Sequence, residues 1–90
     1  MNKARRKILS DLLTQIIKIK DELEDLKSGV ESEGESERES FDNLSEGLQQ
    51  ADNGQKIEAA ATELEQAVSS VDDAINCLND AVTSIEAATE

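Results

Sequence analysis

Residues 58–90 read EAAATEL EQAVSSV DDAINCL NDAVTSI EAATE, a seven-residue unit that repeats without a break. Within it, Ala61, Val68, Ile75 and Val82 alternate with Leu64, Val71, Leu78 and Ile85 at spacings of three and four, which is the seam of a heptad-repeat helix. Ala60, Ala67, Ala74, Ala81 and Ala88 border that seam on one side, and Glu58, Glu65, Asp72, Asn79 and Glu86 border it on the other. The repeat therefore specifies a helix with an apolar arc, an alanine edge and an acidic edge. It says much about architecture and little about activity.

The earlier part of the chain supplies a partner for this helix. From about Lys3, the residues Leu9, Leu12, Ile16, Ile19, Leu23, Leu26 and Val30 repeat the same spacing, while Ile8, Leu13 and Ile17 widen the apolar face. A hairpin gives each helix one neighbour, so Ile8, Leu13 and Ile17, with the alanine column Ala60, Ala67, Ala74 and Ala81, are expected to form an oligomer interface. Between the two helices, SGVESEGESERES (28–40) loses the seam. It reads either as a flexible acidic linker or as a continuation of helix 1, and matching helix lengths favour continuation to about Glu39. The segment 41–53 reads as a turn with a short helical stretch, capped by Asp42 or Asn43 and answered by Glu46, over which Phe41, Leu44 and Leu48 fold. Helix 2 is expected over about 54–89, capped by Asp52 or Asn53. The fold class is thus all-α: one domain over 1–90, in which two long antiparallel helices form a helical hairpin that assembles into a multi-helix bundle.

Composition removes several functions. With no His, no Trp, no Tyr and one aromatic residue, Phe41, the chain has no imidazole for proton transfer or metal ligation and little on which a base can stack. The lone Cys77 occupies the heptad position of Ser70 and Ser84, which marks it as a small, half-buried spacer and excludes an intramolecular disulfide. The paired acids Asp21, Glu22, Glu24, Asp25, Asp72 and Asp73 are sequence neighbours that do not face one another on a helix. No enzyme activity, metal or cofactor is expected. Every apolar run is broken within a few residues, so no membrane span is expected, and the absence of a secretory pattern points to a soluble, intracellular protein.

Charge is divided along the chain. Residues 1–7 carry +4 through Lys3, Arg5, Arg6 and Lys7, whereas residues 21–40 carry −7 within a net charge of −12. Such a balance disfavours direct nucleic-acid binding and membrane association, and suits solubility or a basic partner. Arg5, four residues before Leu9, reads as pointing between the helices, where it needs an acid or a phosphate. One reading pairs Arg5 and Arg6 with Glu86 and Glu90. The other gathers Lys3, Arg5, Arg6 and Lys7 with the turn residues Phe41, Asn43 and Gln49, through oligomerisation, into a binding pocket for a phosphate-bearing ligand.

Three strings together, MNKARRK at the start, FDNLSEGLQ at the turn and the AIxxLxxA repeat near the end, resemble a group of small, acidic, uncharacterised helical proteins encoded by bacteriophages and prophages of Firmicutes. Relatives often carry Pro where this chain has Ser45. The resemblance implies a protein of the bacterial host cytoplasm that counters host defence by binding. The favoured expectation is sequestration of a phosphorylated nucleotide signal by the basic helix starts; the alternatives are mimicry of nucleic acid by the acidic face to inhibit a DNA-binding host protein, and a structural coiled-coil assembly module. All three suit a homo-oligomer.

Overall fold

The computed structural model describes residues 1–90 and is helical almost throughout: α1 spans Lys3–Asp42, α2 Glu46–Gln50 and α3 Asp52–Thr89. α1 and α3 pack antiparallel along their lengths, and α2 is part of the bend between them. At 1.5 Å per residue a 40-residue helix is about 60 Å long, and the molecule measures 68 × 15 × 14 Å. It is a two-helix rod with a single layer of contact.

On α3 the buried stripe follows the repeat. Ala61 and Ile75 are buried, and Ile57, Leu64, Val68, Val71, Leu78, Val82 and Ile85 are half-buried between the helices. On α1 the stripe shares one column with expectation and departs from the other. Leu9, Ile16, Leu23 and Val30 are half-buried as the spacing implies, but the second inner column is Leu13, Lys20, Lys27, Gly34 and Phe41. Leu12, Ile19 and Leu26 lie outside the helix interface. The chosen column carries two lysines, yet it alone continues into residues the hairpin needs. Gly34 lies against Leu64, where even an added Cβ would come to 3.3 Å from the Leu64 Cβ, and Phe41 is half-buried at the turn. The rejected column continues into Glu33 and Ser40. Lys20 and Lys27 are long enough to lay their methylenes along the seam and carry their charges out of it.

Residues 28–40 are helix, not linker. Glu and Arg are good helix formers, Ser36 Oγ donates to the Ser32 carbonyl oxygen at 3.1 Å, and Gly34 is buried where the helices approach. α1 begins on Asn2, whose Oδ1 accepts from the Arg5 backbone N–H at 2.8 Å. α1 runs on to Asp42, past the expected end near Glu39.

Caps at the bend also differ from expectation. Asn43 closes α1 through its N–H to the Glu39 carbonyl oxygen at 3.0 Å, Ser45 caps α2, and α3 starts from Ala51 with no side-chain cap. Asp52 then stands in the first turn of α3, where a carboxylate complements the helix dipole. Phe41 and Leu44 are half-buried at the bend, whereas Leu48 is exposed. Gly54 is buried against α2. A side chain there would run into the Leu48 carbonyl oxygen and fall 2.7 Å from the Gln49 carbonyl oxygen.

Two of the helical glycines give a paired prediction. Gly54→Ala forces the backbone of α2 and α3 apart and is expected to destabilise the fold by about 2 kcal/mol or more. Gly29 has open space around it, so Gly29→Ala is expected to stabilise the helix by roughly 0.5–1 kcal/mol. Urea unfolding followed by circular dichroism measures both. Equal effects of the two substitutions contradict the packing described at Gly54.

Candidate functional site

The rod has two long faces of different chemistry. Across one of them, α1 cations meet α3 acids. Lys27 Nζ donates to Asp72 Oδ1 at 2.7 Å, and Arg38 Nη2 pairs with Glu65 and donates to Thr62 Oγ1 at 3.3 Å. The hydrogen bond from Lys27 to Asp72 raises the ammonium's pKa above 10.5, against a smaller desolvation effect, with help from the charges of Asp72, Glu31 and Glu24. The Arg38 pKa is likewise raised, first by its hydrogen bond to Glu65. Beside Arg38 lies an open groove of about 450 Å³ lined by Glu31, Gly34, Glu35, Glu39, Asp42, Glu65 and Val68. Its walls are carboxylates and its one cation is already paired.

The opposite face is apolar. Leu12, Ile19 and Leu26 lie on the side of the α1 seam away from the salt-bridged face, with Ile8 at their outer edge. Their exposures are 58% for Ile8, 45% for Leu12, 49% for Ile19 and 61% for Leu26. On α3 the alanine column lies on the side of the seam away from Glu65 and Asp72, so it shares this face. Ala60 and Ala74 are exposed, and Ala67 and Ala81 are half-buried.

The expected oligomer interface is therefore divided by the fold. Ile8, Ala60, Ala67, Ala74 and Ala81 share the open face. Leu13 does not, because it is half-buried inside the hairpin seam. Ile17 projects on the salt-bridged side, in the heptad column of Glu24, Glu31 and Arg38, and is 41% exposed. Spacing alone gave Leu12, Ile19 and Leu26 to the core, so the residues that make the face apolar escaped the expected interface. The signal that finds them is the second column of α1: once Gly34 and Phe41 are placed inside, Leu12, Ile19 and Leu26 must lie outside.

The expected ligand pocket is also divided. Lys3, Arg5, Arg6 and Lys7 occupy the start of α1, beside the end of α3. Phe41, Asn43 and Gln49 occupy the bend, at the far end of the rod. Arg5 is exposed and stands in the column of Leu12, not between the helices. The cation that reaches α3 is Arg6, whose Nη2 donates to the Glu90 carbonyl oxygen at 3.3 Å. Lys7 pairs within its own helix with Asp11 at 2.9 Å. Neither Arg5 nor Arg6 forms an ion pair with the carboxylate of Glu86 or Glu90.

At the bend, Gln49 is structural. Its Nε2 donates to the carbonyl oxygens of Phe41 at 3.1 Å and Leu44 at 3.2 Å, which ties α2 to the end of α1. Leu44, Leu48, Ala51, Asp52, Asn53, Gly54 and Ile57 line a second, shallow hollow of about 540 Å³ there. Cys77 is exposed instead of half-buried. No group of three or more His, Cys, Asp or Glu side chains is placed to hold a metal ion, and no helix is long and apolar enough to cross a membrane. Compared with protein-family models, curated proteins and solved structures, the chain matches none.

The salt-bridged face makes a pH prediction. A lysine whose pKa is raised on folding stabilises the fold fully below its ordinary value of 10.5 and loses that contribution as pH rises through the folded value. Asp72→Asn is expected to return the Lys27 pKa toward 10.5 and to flatten the decline of stability above that pH. Titration of the Lys27 side-chain NMR signals reads the shift, and an unchanged midpoint in Asp72→Asn contradicts the assigned pairing.

Proposed function

We propose that this protein is a non-enzymatic helical assembly module, which works by binding along the open apolar face of its hairpin. The observation that carries the reading is the strip of Ile8, Leu12, Ile19 and Leu26 beside the alanine column, in a chain whose only buried apolar side chains are Ala61 and Ile75. Three large aliphatic residues exposed in line over several turns, with a fourth beside them, are unlike the scattered apolar residues of an ordinary surface. Packing them against another helical surface recovers about 25 cal/mol for each Å² removed from water. The small side chains of α3 let a neighbouring helix come close. In this reading the multi-helix bundle forms by association of hairpins.

A narrower reading is favoured by one observation. The side chains of Lys3 and Arg5 form no hydrogen bond or ion pair within the chain, while Arg6 and Lys7 do. Free cations at a helix start suit an anion, and this is the support for a phage-type protein that counters host defence by sequestering a phosphorylated nucleotide signal. Since the turn residues lie at the other end of the rod, a pocket combining them with the basic start requires more than one copy. Mimicry of nucleic acid has weaker support. It rests on acidic columns such as Glu31, Glu35 and Glu39, and the groove they line already holds a cation, Arg38, paired with Glu65.

Native mass spectrometry of the protein isolated from its own host cell separates these readings. The assembly module predicts a mass above that of one chain, with no small-molecule adduct, and a return to the single-chain mass in Leu12→Glu/Leu26→Glu. A nucleotide-sized adduct that Lys3→Glu/Arg5→Glu removes supports the signal-sequestering reading instead. A bare single chain contradicts both.

A further inference from the structure

The column of α1 that crosses the open face reads Arg5, Leu12, Ile19, Leu26, Glu33 at intervals of seven. Reversed about Ile19, it gives opposite charges at the ends, leucine against leucine within, and isoleucine on itself at the centre. A surface that is its own complement under a half-turn is what a two-fold symmetric dimer requires. We propose that two copies stack antiparallel through the open face, with the two-fold axis at Ile19, so that Leu12 packs on Leu26 of the second copy and Arg5 meets its Glu33. The proposal rests on the assembly reading given above and names the partner as a second copy of this chain.

The rest of the face agrees with that axis. α1 and α3 run in opposite directions from the contact of Gly34 with Leu64, which places Ile19 level with Asn79, about 2 Å along the helix from the midpoint of Ala74 and Ala81. A column of alanines is self-complementary about any axis midway between two of its members, so stacking α1 on α1 also stacks α3 on α3 through small side chains. Outside the alanine column lie Ser70, Cys77 and Ser84, which are small as well. The α3 helices can therefore come close without a clash, at the short end of the usual interaxial range.

Charge favours the antiparallel sense over the parallel one. Antiparallel stacking sets the +4 start of one copy along the acidic stretch of the other, where residues 21–40 carry −7. Parallel stacking of the same column puts Arg5 on Arg5 and Glu33 on Glu33. The area is also sufficient. Twenty-eight residue steps from Arg5 to Glu33 span about 42 Å, and over the 14 Å width of the rod this is on the order of 600 Å² per copy. Counted on both copies, that reaches the lower end of the range for specific dimers.

The test is sedimentation equilibrium of the purified full-length protein, without other components. The wild type is expected to be dimeric, with Ile19→Glu monomeric and equally helical by circular dichroism. Arg5→Glu and Glu33→Arg are each expected to weaken dimerisation roughly tenfold, since two ion pairs per dimer become two repulsions. The double variant Arg5→Glu/Glu33→Arg is expected to return to within about threefold of the wild type. A monomeric wild type overturns the proposal, and so do single reversals that leave the dissociation constant unchanged, as a parallel dimer would. A purified monomer alongside a larger assembly isolated from the host cell overturns only the choice of a second copy, and leaves the assembly reading standing.

Discussion

A helix in a two-helix hairpin has one neighbour, and one neighbour covers one stripe. α3 fits that limit, because its repeat offers a single apolar seam bordered by alanine and acid. α1 exceeds it, with two apolar columns and a third of Leu13, Lys20, Lys27, Gly34 and Phe41, where a stripe of two is the most that α3 can cover. Which two are covered is decided by the places where the helices must come close. Gly34 lies against Leu64 and Phe41 is drawn in at the bend, so the column containing them goes inside, together with Lys20 and Lys27. Leu12, Ile19 and Leu26 are left outside by the same rotation. The exposed strip is thus a consequence of how the hairpin closes.

Electrostatics follows the same geometry. The positive start of α1 carries basic residues and no acid, which opposes its own dipole. The last turn of α3 carries no base. Antiparallel packing sets these two ends side by side, and Arg6 reaches the Glu90 carbonyl oxygen across them. Further along, Lys27 and Arg38 neutralise part of the acidic edge of α3 at Asp72 and Glu65. Each is a partly exposed pair of modest worth. Together they help fix which side of the seam is polar, and so which side remains apolar.

The hairpin and all eight seam positions of α3 named from the repeat were legible in the sequence, because every one of those positions is apolar and no second column competes. The rotation of α1 was not, because the column of Leu9, Ile16, Leu23 and Val30 is flanked by Leu12, Ile19 and Leu26 on one side and by Leu13, Lys20 and Lys27 on the other, and spacing alone favours the more apolar flank. Hydrophobicity ranks Leu26 above Lys27, and only the contact at Gly34 reverses that order. For the same reason the residues expected at an oligomer interface lie apart on one chain: Ile8 and the alanines on the open face, Leu13 in the seam and Ile17 on the salt-bridged side. The expected pocket draws on two groups, Lys3, Arg5, Arg6 and Lys7 and then Phe41, Asn43 and Gln49, that one chain holds at opposite ends of the rod, so only association of copies can bring them together.

Site-directed cross-linking tests the account most directly, because it reads both the exposed strip and the axis that organises it. In a Cys77→Ser background, Ile19→Cys is predicted to oxidise readily to a covalent dimer. Leu12→Cys is predicted to link only when mixed with Leu26→Cys, not with itself. Efficient linking of Leu12→Cys to itself, or none at Ile19→Cys under conditions where the protein is associated, would contradict the assignment of this face and its symmetry.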